Sequence, residues 1–270
     1  MPAAVSALIR ESGLPAAEAR LLLAASLGVD RAWLVAHSDD PLDDARSAQA
    51  SELFRRRRAG EPVAYILGVR EFYGLALEVT PAVLIPRPET ELLVDFALRR
   101  AAQGARRALD LGTGSGAVAV ALANAAPSVE VWATDASSEA LAVARRNAAR
   151  HAPRVHLVQS DWFGSLRGER FDLILSNPPY VAADDPHLDE GDVRFEPRAA
   201  LVGGPDGLDC IRRIVREARD HLAPRGWLAL EHGHDQAERC RALLAERGYA
   251  GVASVPDLAG IARVTVGRAS

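Results

Sequence analysis

The sequence predicts an α/β protein, with a doubly wound, mainly parallel sheet preceded by a small all-helical domain. Three observations predict it. From Arg107 onward, apolar runs of strand length alternate with stretches of helical periodicity. The first of these runs, Ala108-Leu109-Asp110-Leu111, passes directly into a glycine-rich turn and then an alanine-rich helix. Before about residue 70 the pattern is helical throughout.

The elements follow in order. Pro15 to Leu27 carries leucines 21, 22, 23 and 27 at helical spacing, with Gly28 as a stop. Asp30 can cap a short helix through Trp33 to Ala36. Pro41 and Asp43 open a further helix that runs into the Arg55–Arg58 cluster and ends at Gly60. That cluster reads as a solvated helix end, where positive charge suits the helix dipole; a partner-facing patch is the minority reading. Residues 71–79 alternate in polarity as a short hairpin or linker. Ile85-Pro86-Arg87-Pro88-Glu89-Thr90-Glu91 is a proline-stiffened turn into a helix reaching Arg100. Seven strands are then expected at 107–111, 129–134, 155–159, 171–176, 227–232, 251–255 and 262–267. Alternation with helices makes most of them parallel. The last two lack a helix between them and pair as a hairpin, giving an antiparallel edge. The expected division is a helical domain over 1–70, a hairpin or linker over 71–86, and the α/β domain over 87–270.

Composition bounds the class. The chain has 270 residues and a net charge of −4, and its 32 basic residues are all arginine. No apolar run is long enough to cross a membrane, and no secretory signal opens the chain. Cys210 and Cys240 are too few for a disulfide framework and lack metal spacing. A cytoplasmic monomer is expected, and the acidic balance argues against gripping duplex DNA through many phosphates.

The turn Gly112-Thr113-Gly114-Ser115-Gly116 lets the backbone approach a ligand at a helix N-terminus. The next strand ends in Asp135, roughly the offset at which a carboxylate meets a ribose diol. The third strand ends in Asp161-Trp162, a carboxylate that can accept from an exocyclic amine beside a ring that either covers a purine or belongs to the core. The spacing G-x-G-x-G is not the dinucleotide fingerprint, and with no lysine there is no P-loop. S-adenosylmethionine, which carries adenosine without a pyrophosphate, fits. On that reading the loop takes the methionine moiety, Asp110 helps orient its amino group through the loop, and Asp135 takes the ribose hydroxyls.

The fourth strand ends in Asn177-Pro178-Pro179-Tyr180. Two prolines stop the strand and hold the chain rigid past the carboxyl edge of the sheet, where ligands bind in such folds. Asn177 offers an amide, Pro178 a carbonyl and Tyr180 a ring. Two acceptors and a ring suit a planar –NH2 on an sp² carbon, a poor nucleophile that must be held before it attacks. Its nitrogen would donate its hydrogens to the Asn177 oxygen and the Pro178 carbonyl.

These motifs together resemble class I S-adenosylmethionine-dependent methyltransferases acting on amide or amino nitrogens. The 85–91 turn, Gln159 to Phe163, the segment from Asp185 to Pro197, and Leu230-Glu231-His232-Gly233 narrow the likeness to the bacterial release factor glutamine methyltransferases, the PrmC/HemK family. The resemblance covers nearly the whole chain. It implies a Rossmann-like seven-stranded sheet with an antiparallel edge strand and a helical N-terminal substrate-recognition domain. It also implies methylation of the glutamine in the Gly-Gly-Gln motif of class 1 peptide chain release factors, giving N5-methylglutamine and S-adenosylhomocysteine. Cofactor contacts would fall on Gly112, Thr113, Gly114, Ser115, Gly116, Asp135, Trp162 and Asn177, and substrate contacts on Asn177, Pro178, Pro179 and Tyr180. No metal is expected; Glu231-His232-Gly233-His234 lacks a third ligand. The 183–198 loop reads as a lid over the substrate or as an unstructured connection. The rival enzyme is an adenine-N6 nucleic-acid methyltransferase, which shares the pocket chemistry but needs a basic target-recognition region. A binding module without chemistry has no need of the loop, Asp135 and Asn177 together.

Overall fold

The computed structural model describes residues 4–270, so the first three residues of the expected helical domain lie outside the described residues. The chain divides into two compact units. One runs up to Val69 and includes Asp189–Phe195; the other is Arg70–Leu188 with Glu196–Ser270.

The first unit contains α1 (Val5–Glu11), α2 (Ala16–Leu27), α3 (Arg31–Ala36), α4 (Asp44–Arg58) and α5 (Val63–Leu67). Its core is Val5, Leu22, Leu23, Leu34, Phe54 and Ile66. The caps are those the sequence marks. Gly28 sits in the left-handed region at φ 67° and its N–H closes α2. Asp30 and Asp43 accept from Trp33 N and Arg46 N at 2.7 and 2.8 Å. The arginine cluster is only in part a solvated end: Arg55 and Arg58 are exposed, while Arg56 and Arg57 are half-buried in ion pairs. Arg57 bridges Glu18 and Asp192, each at 2.7 Å, with its side chain only 18% exposed. Arg56 pairs with Glu61, and Arg58 donates to Ser12 O. Pairing wins over solvation because carboxylates from α2 and from the 189–195 segment converge on the end of α4.

The second unit opens with a hairpin, β1 (Val69–Phe72) and β2 (Leu75–Glu78). Tyr73 and Gly74 turn it with φ of 52° and 75°, the left-handed pair that matches strand twist. Then come α6 (Glu91–Ala102), β3 (Arg107–Leu111), α7 (Ala117–Ala125), β4 (Glu130–Asp135), α8 (Ser138–His151), β5 (His156–Gln159), β6 (Phe171–Ser176), α9 (Asp209–His221), β7 (Leu222–Glu231), α10 (Ala237–Glu246), β8 (Ala250–Pro256) and β9 (Ala262–Arg268). The seven-stranded sheet has the order β5-β4-β3-β6-β7-β9-β8. Pairs from β5 to β7 are parallel; β9 runs antiparallel to both neighbours, so the terminal hairpin inserts its second strand beside β7. β7 begins five residues before the expected strand, because Leu222 pairs with Phe171 across an irregularity that Pro224 and Gly226 disguise as a loop.

The strand order reverses between β3 and β6, whose ends meet at Leu111 and Ser176. That switch point opens a crevice at the carboxyl edge of the sheet. Ser176 Oγ donates to Leu111 O at 2.7 Å and clamps the two strand ends together.

Candidate active site

The glycine turn leaves β3 above this crevice. Thr113 N donates to Thr134 O at 2.9 Å, and Gly114 N donates to Asp135 Oδ2 at 2.9 Å, tying the loop to the end of β4. Asp135 Oδ1 accepts from Ser137 N at the start of α8. Asp110 is buried beneath the loop, where its Oδ2 accepts from Thr113 Oγ1 at 2.6 Å and Ala119 N at 3.2 Å. Burial pushes its pKa up to about 6 against these two bonds, and Asp135 adds to the rise. Gly112 sits in the left-handed region at φ 69°, and a Cβ there would only touch the Trp162 ring at 3.5 Å, so the backbone turn rather than space favours glycine. Gly116 faces away from the crevice: a Cβ there would meet Ala144 and Val120 at 3.3 Å. It allows α7 to pack closely on α8. Buried Asn147 supports the loop from behind, donating to Ser115 O and Glu78 O and accepting from Glu78 N at 2.7 to 2.9 Å.

A cavity of about 380 Å³ occupies the crevice. Among the predicted residues it is lined by Asp110, Gly112, Thr113, Gly114, Ser115, Asp135, Asp161, Trp162, Asn177 and Pro179. Gly116, Pro178 and Tyr180 are not on its wall. Four carboxylates line it (Asp110, Asp135, Glu139 and Asp161), and no arginine or histidine does. Such a wall suits a cation such as a sulfonium bearing an ammonium group, and opposes a pyrophosphate. Asp161 is held by Arg213 at 2.9 Å, so only part of its carboxylate is open to a ligand.

On the other side of the crevice, Asn177 Nδ2 donates to Thr90 Oγ1 at 3.2 Å, leaving Oδ1 without a partner among the described residues. Tyr180 directs its hydroxyl at buried Glu231, 3.4 Å from Oε1. Burial pushes the Glu231 pKa up to about 7; Thr90, Tyr180 and Arg263 draw it down and Glu89 raises it. The Tyr180 backbone is gripped as well. Gln236 Nε2 donates to its carbonyl at 3.0 Å, and a Cβ at Gly207 would lie 2.3 Å from that same oxygen. Gly203 approaches Pro179 O as closely, and a short parallel bridge pairs Val181 with Val202. The 183–198 loop is built of short helical turns at Pro186–Asp189, Val193–Phe195 and Arg198–Ala200. Its buried Glu196 accepts from Ile85 N at 3.0 Å and pairs with Arg87, fastening the loop to the proline-rich turn.

Sequence reading missed Thr90, Glu196, Gly203, Gly207 and Gln236 as parts of the site, and took Glu231 as part of a family-like segment and as a poor metal ligand, not as a site residue. The closely spaced Gly203-Gly204-Pro205-Asp206-Gly207 was a readable sign of tight backbone approach. His232, beside Glu231, is engaged by Gly233 O and Thr265 Oγ1 at 2.8 and 2.9 Å. Among the described residues no cluster of three metal-ligating side chains forms, and no helix is long and apolar enough to cross a membrane.

The fold and crevice are those of a methyltransferase, and the comparisons agree. Residues 88–191 match the methyltransferase small domain, and residues 3–68 match the PrmC N-terminal domain. A release factor glutamine methyltransferase of Bordetella pertussis is 52% identical over 262 residues, covering 96% of this chain and 97% of that one. The Escherichia coli protein of the same name is 45% identical and covers 96% and 94%. A solved methyltransferase from Pyrococcus furiosus superposes with a TM-score of 0.56 at 25% identity, covering 81% of this chain and 98% of that one. A T. thermophilus 16S rRNA N2 G1207 methyltransferase, solved with AdoMet and guanosine, gives 0.56 at 21% identity over 75% and 50%. It shares the fold. The chain belongs to the release factor glutamine methyltransferase family.

Proposed function

We propose that this protein methylates the side-chain amide of the glutamine in the Gly-Gly-Gln motif of class 1 peptide chain release factors. S-adenosylmethionine would be the donor, and the products N5-methylglutamine and S-adenosylhomocysteine. The observation that carries the reading is Asn177, whose amide lines a carboxylate-walled cavity with Nδ2 occupied by Thr90 and Oδ1 open. An open carbonyl oxygen is what an incoming –NH2 needs.

When bound, the cofactor supplies an activated methyl on a sulfonium. The residues that would hold it are the 112–115 loop, Asp135 at the ribose, and Trp162 with Asp161 at the adenine. Asp110 acts from beneath, locking Thr113 and the start of α7. Asn177 Oδ1 and the Pro178 carbonyl hold the two amide hydrogens of the substrate. Pro179 closes the cavity beside them, and Tyr180 flanks the amide plane. Orientation is the main contribution, and in favourable cases it supplies about 7–11 kcal/mol of the barrier. Held by Asn177 and Pro178, the substrate nitrogen would take the methyl that the sulfonium supplies, leaving the bonding electrons on the cofactor's sulfur. The nitrogen then releases its proton to water.

The helical unit is proposed as the substrate-recognition domain, within the division 1–70, 71–86 and 87–270. The 189–195 segment is counted with that unit. No membrane or direct DNA association enters this reading, and a cytoplasmic monomer remains our expectation. The adenine-N6 alternative lacks support from relatives, which carry the glutamine methyltransferase name over nearly their whole length.

The test is a transfer assay with labelled S-adenosylmethionine, offering release factor, its Gly-Gly-Gln glutamine-to-alanine variant and adenine-containing DNA. Label in the intact factor alone is expected. Label in DNA alone would overturn the substrate while leaving the fold standing.

A further inference from the structure

Glu231 is the largest piece of buried chemistry that the proposed reaction leaves without a task. It ends β7 beside the amide pocket and is 2% exposed. Among the described residues, Oε1 is reached only by the Tyr180 hydroxyl at 3.4 Å, and Oε2 has no partner in full hydrogen-bonding geometry. A buried carboxylate so poorly served is costly to keep unless it has work to do.

The work is legible in the polarity of the bonds around it. Thr90 Oγ1 accepts from Asn177 Nδ2, so the hydroxyl hydrogen is free to be given elsewhere. The poorly served Glu231 carboxylate is the acceptor within its reach: Thr90 is the strongest influence holding this carboxyl down against burial, although the pair forms no hydrogen bond of full geometry. A carboxylate only accepts. It therefore forces Thr90 to donate toward β7, Thr90 oxygen to accept from Asn177 nitrogen, and Asn177 to turn its oxygen to the cavity. Reversal at Glu231 would let Thr90 donate to Asn177 Oδ1 and turn the –NH2 outward, where it repels a substrate amide. The direction of an asparagine amide is set by its network, and this network has one anchor.

We propose that Glu231, acting through Thr90, is a positioning residue that fixes the orientation of the Asn177 amide in the pocket. The proposal rests on the glutamine-methylating reading for its kinetic consequence, but the orientation itself is measurable without turnover. Glu89 and Arg263 act on Glu231 along with Thr90 and Tyr180, and Arg87 acts on Tyr180. With the carboxyl poised at about 7, protonation below that pH removes the anchor.

The experiment uses the full chain and follows the Asn177 side-chain amide resonance by ¹⁵N NMR, assigned by its loss in Asn177→Asp. Kinetics with release factor and a direct binding measurement for S-adenosylmethionine run beside it. In the wild type the resonance should titrate near pH 7. In Glu231→Gln that titration should vanish. In Thr90→Val the resonance should shift at every pH and kcat should fall about tenfold or more, with cofactor affinity within twofold. Thr90→Ser, which keeps the hydroxyl, should restore both. An Asn177 resonance indifferent to Glu231→Gln and Thr90→Val overturns the proposal, as does Thr90→Ser behaving like Thr90→Val. Should Glu231→Gln not fold, the pH dependence in the Thr90 pair decides: Thr90→Ser should keep the titration near pH 7, Thr90→Val should abolish it, and a titration that survives in Thr90→Val overturns the proposal. Wild-type inactivity on release factor would defeat the substrate reading, and the resonance would still decide this one.

Discussion

The two walls of the crevice are built differently. The glycine-loop wall is held mainly from within one βαβ stretch: Asp110 locks Thr113 and Ala119, and Asp135 accepts from Gly114 and Ser137, with Asn147 and Glu78 bracing the loop from behind. The amide wall is held from afar. Asn177 leans on Thr90, Tyr180 on Glu231 and Gln236, and the Pro179–Tyr180 backbone on Gly203 and Gly207. A wall made from one βαβ unit can form with that unit. A wall assembled from β6, the turn before α6, the end of β7 and the start of α10 exists only when the whole sheet has closed. The contrast teaches that cofactor binding and substrate reading should respond differently to mutation.

The largest effect should separate the walls outright. Asn177→Asp removes the neutral acceptor geometry and is expected to lower kcat by about 100- to 1000-fold, while calorimetry should find the affinity for S-adenosylmethionine within a few-fold. Equal losses in both would erase the distinction. Next, Gly207→Ala places a methyl against Tyr180 O at a φ of 74°, and should destabilise by about 2–4 kcal/mol in denaturant unfolding. Asn147→Ala strikes the cofactor wall instead. It strands Glu78 N and Ser115 O in a buried place, for about 2–3 kcal/mol and a weaker cofactor site.

This difference also explains what was legible in the sequence. The glycine loop, Asp135 and Trp162 could be read because a short-range motif carries its own geometry. The caps of α2, α3 and α4 and the seven strands were readable for the same reason. Asn177 to Tyr180 stood out through their unusual chemistry. Thr90 and Glu231 did not, since 141 positions separate them and nothing local marks either as part of a polar chain. Arg57 misled similarly: its partner Asp192 is distant in sequence, so a paired arginine looked like a solvated one. Gly116 sits inside the motif and also serves the packing of α7 on α8, a role the motif alone does not reveal.

Smaller effects sharpen the picture. Asp110 titrates near 6 and Glu231 near 7, both raised above their ordinary values. The folded protein thus binds protons more tightly than the unfolded chain at these sites. Their contribution to stability is full below about pH 4 and is lost as pH rises through 6 to 7. Asp110→Asn should therefore show a smaller drop in Tm between pH 5 and 7.5 than the wild type, as read by scanning calorimetry of the ligand-free protein. Arg146→Ala breaks an exposed pair with Glu78 and should change stability by less than about 1 kcal/mol.

The account stands on the claim that the Asn177 pocket reads a primary amide on a protein. The most direct measurement is tandem mass spectrometry of the Gly-Gly-Gln peptide, after incubating release factor with this protein and S-adenosylmethionine. A single added methyl on the glutamine side-chain nitrogen, absent when Asn177→Asp replaces the wild type, is the predicted result. A methyl on another residue, or an unchanged yield from Asn177→Asp, would contradict it.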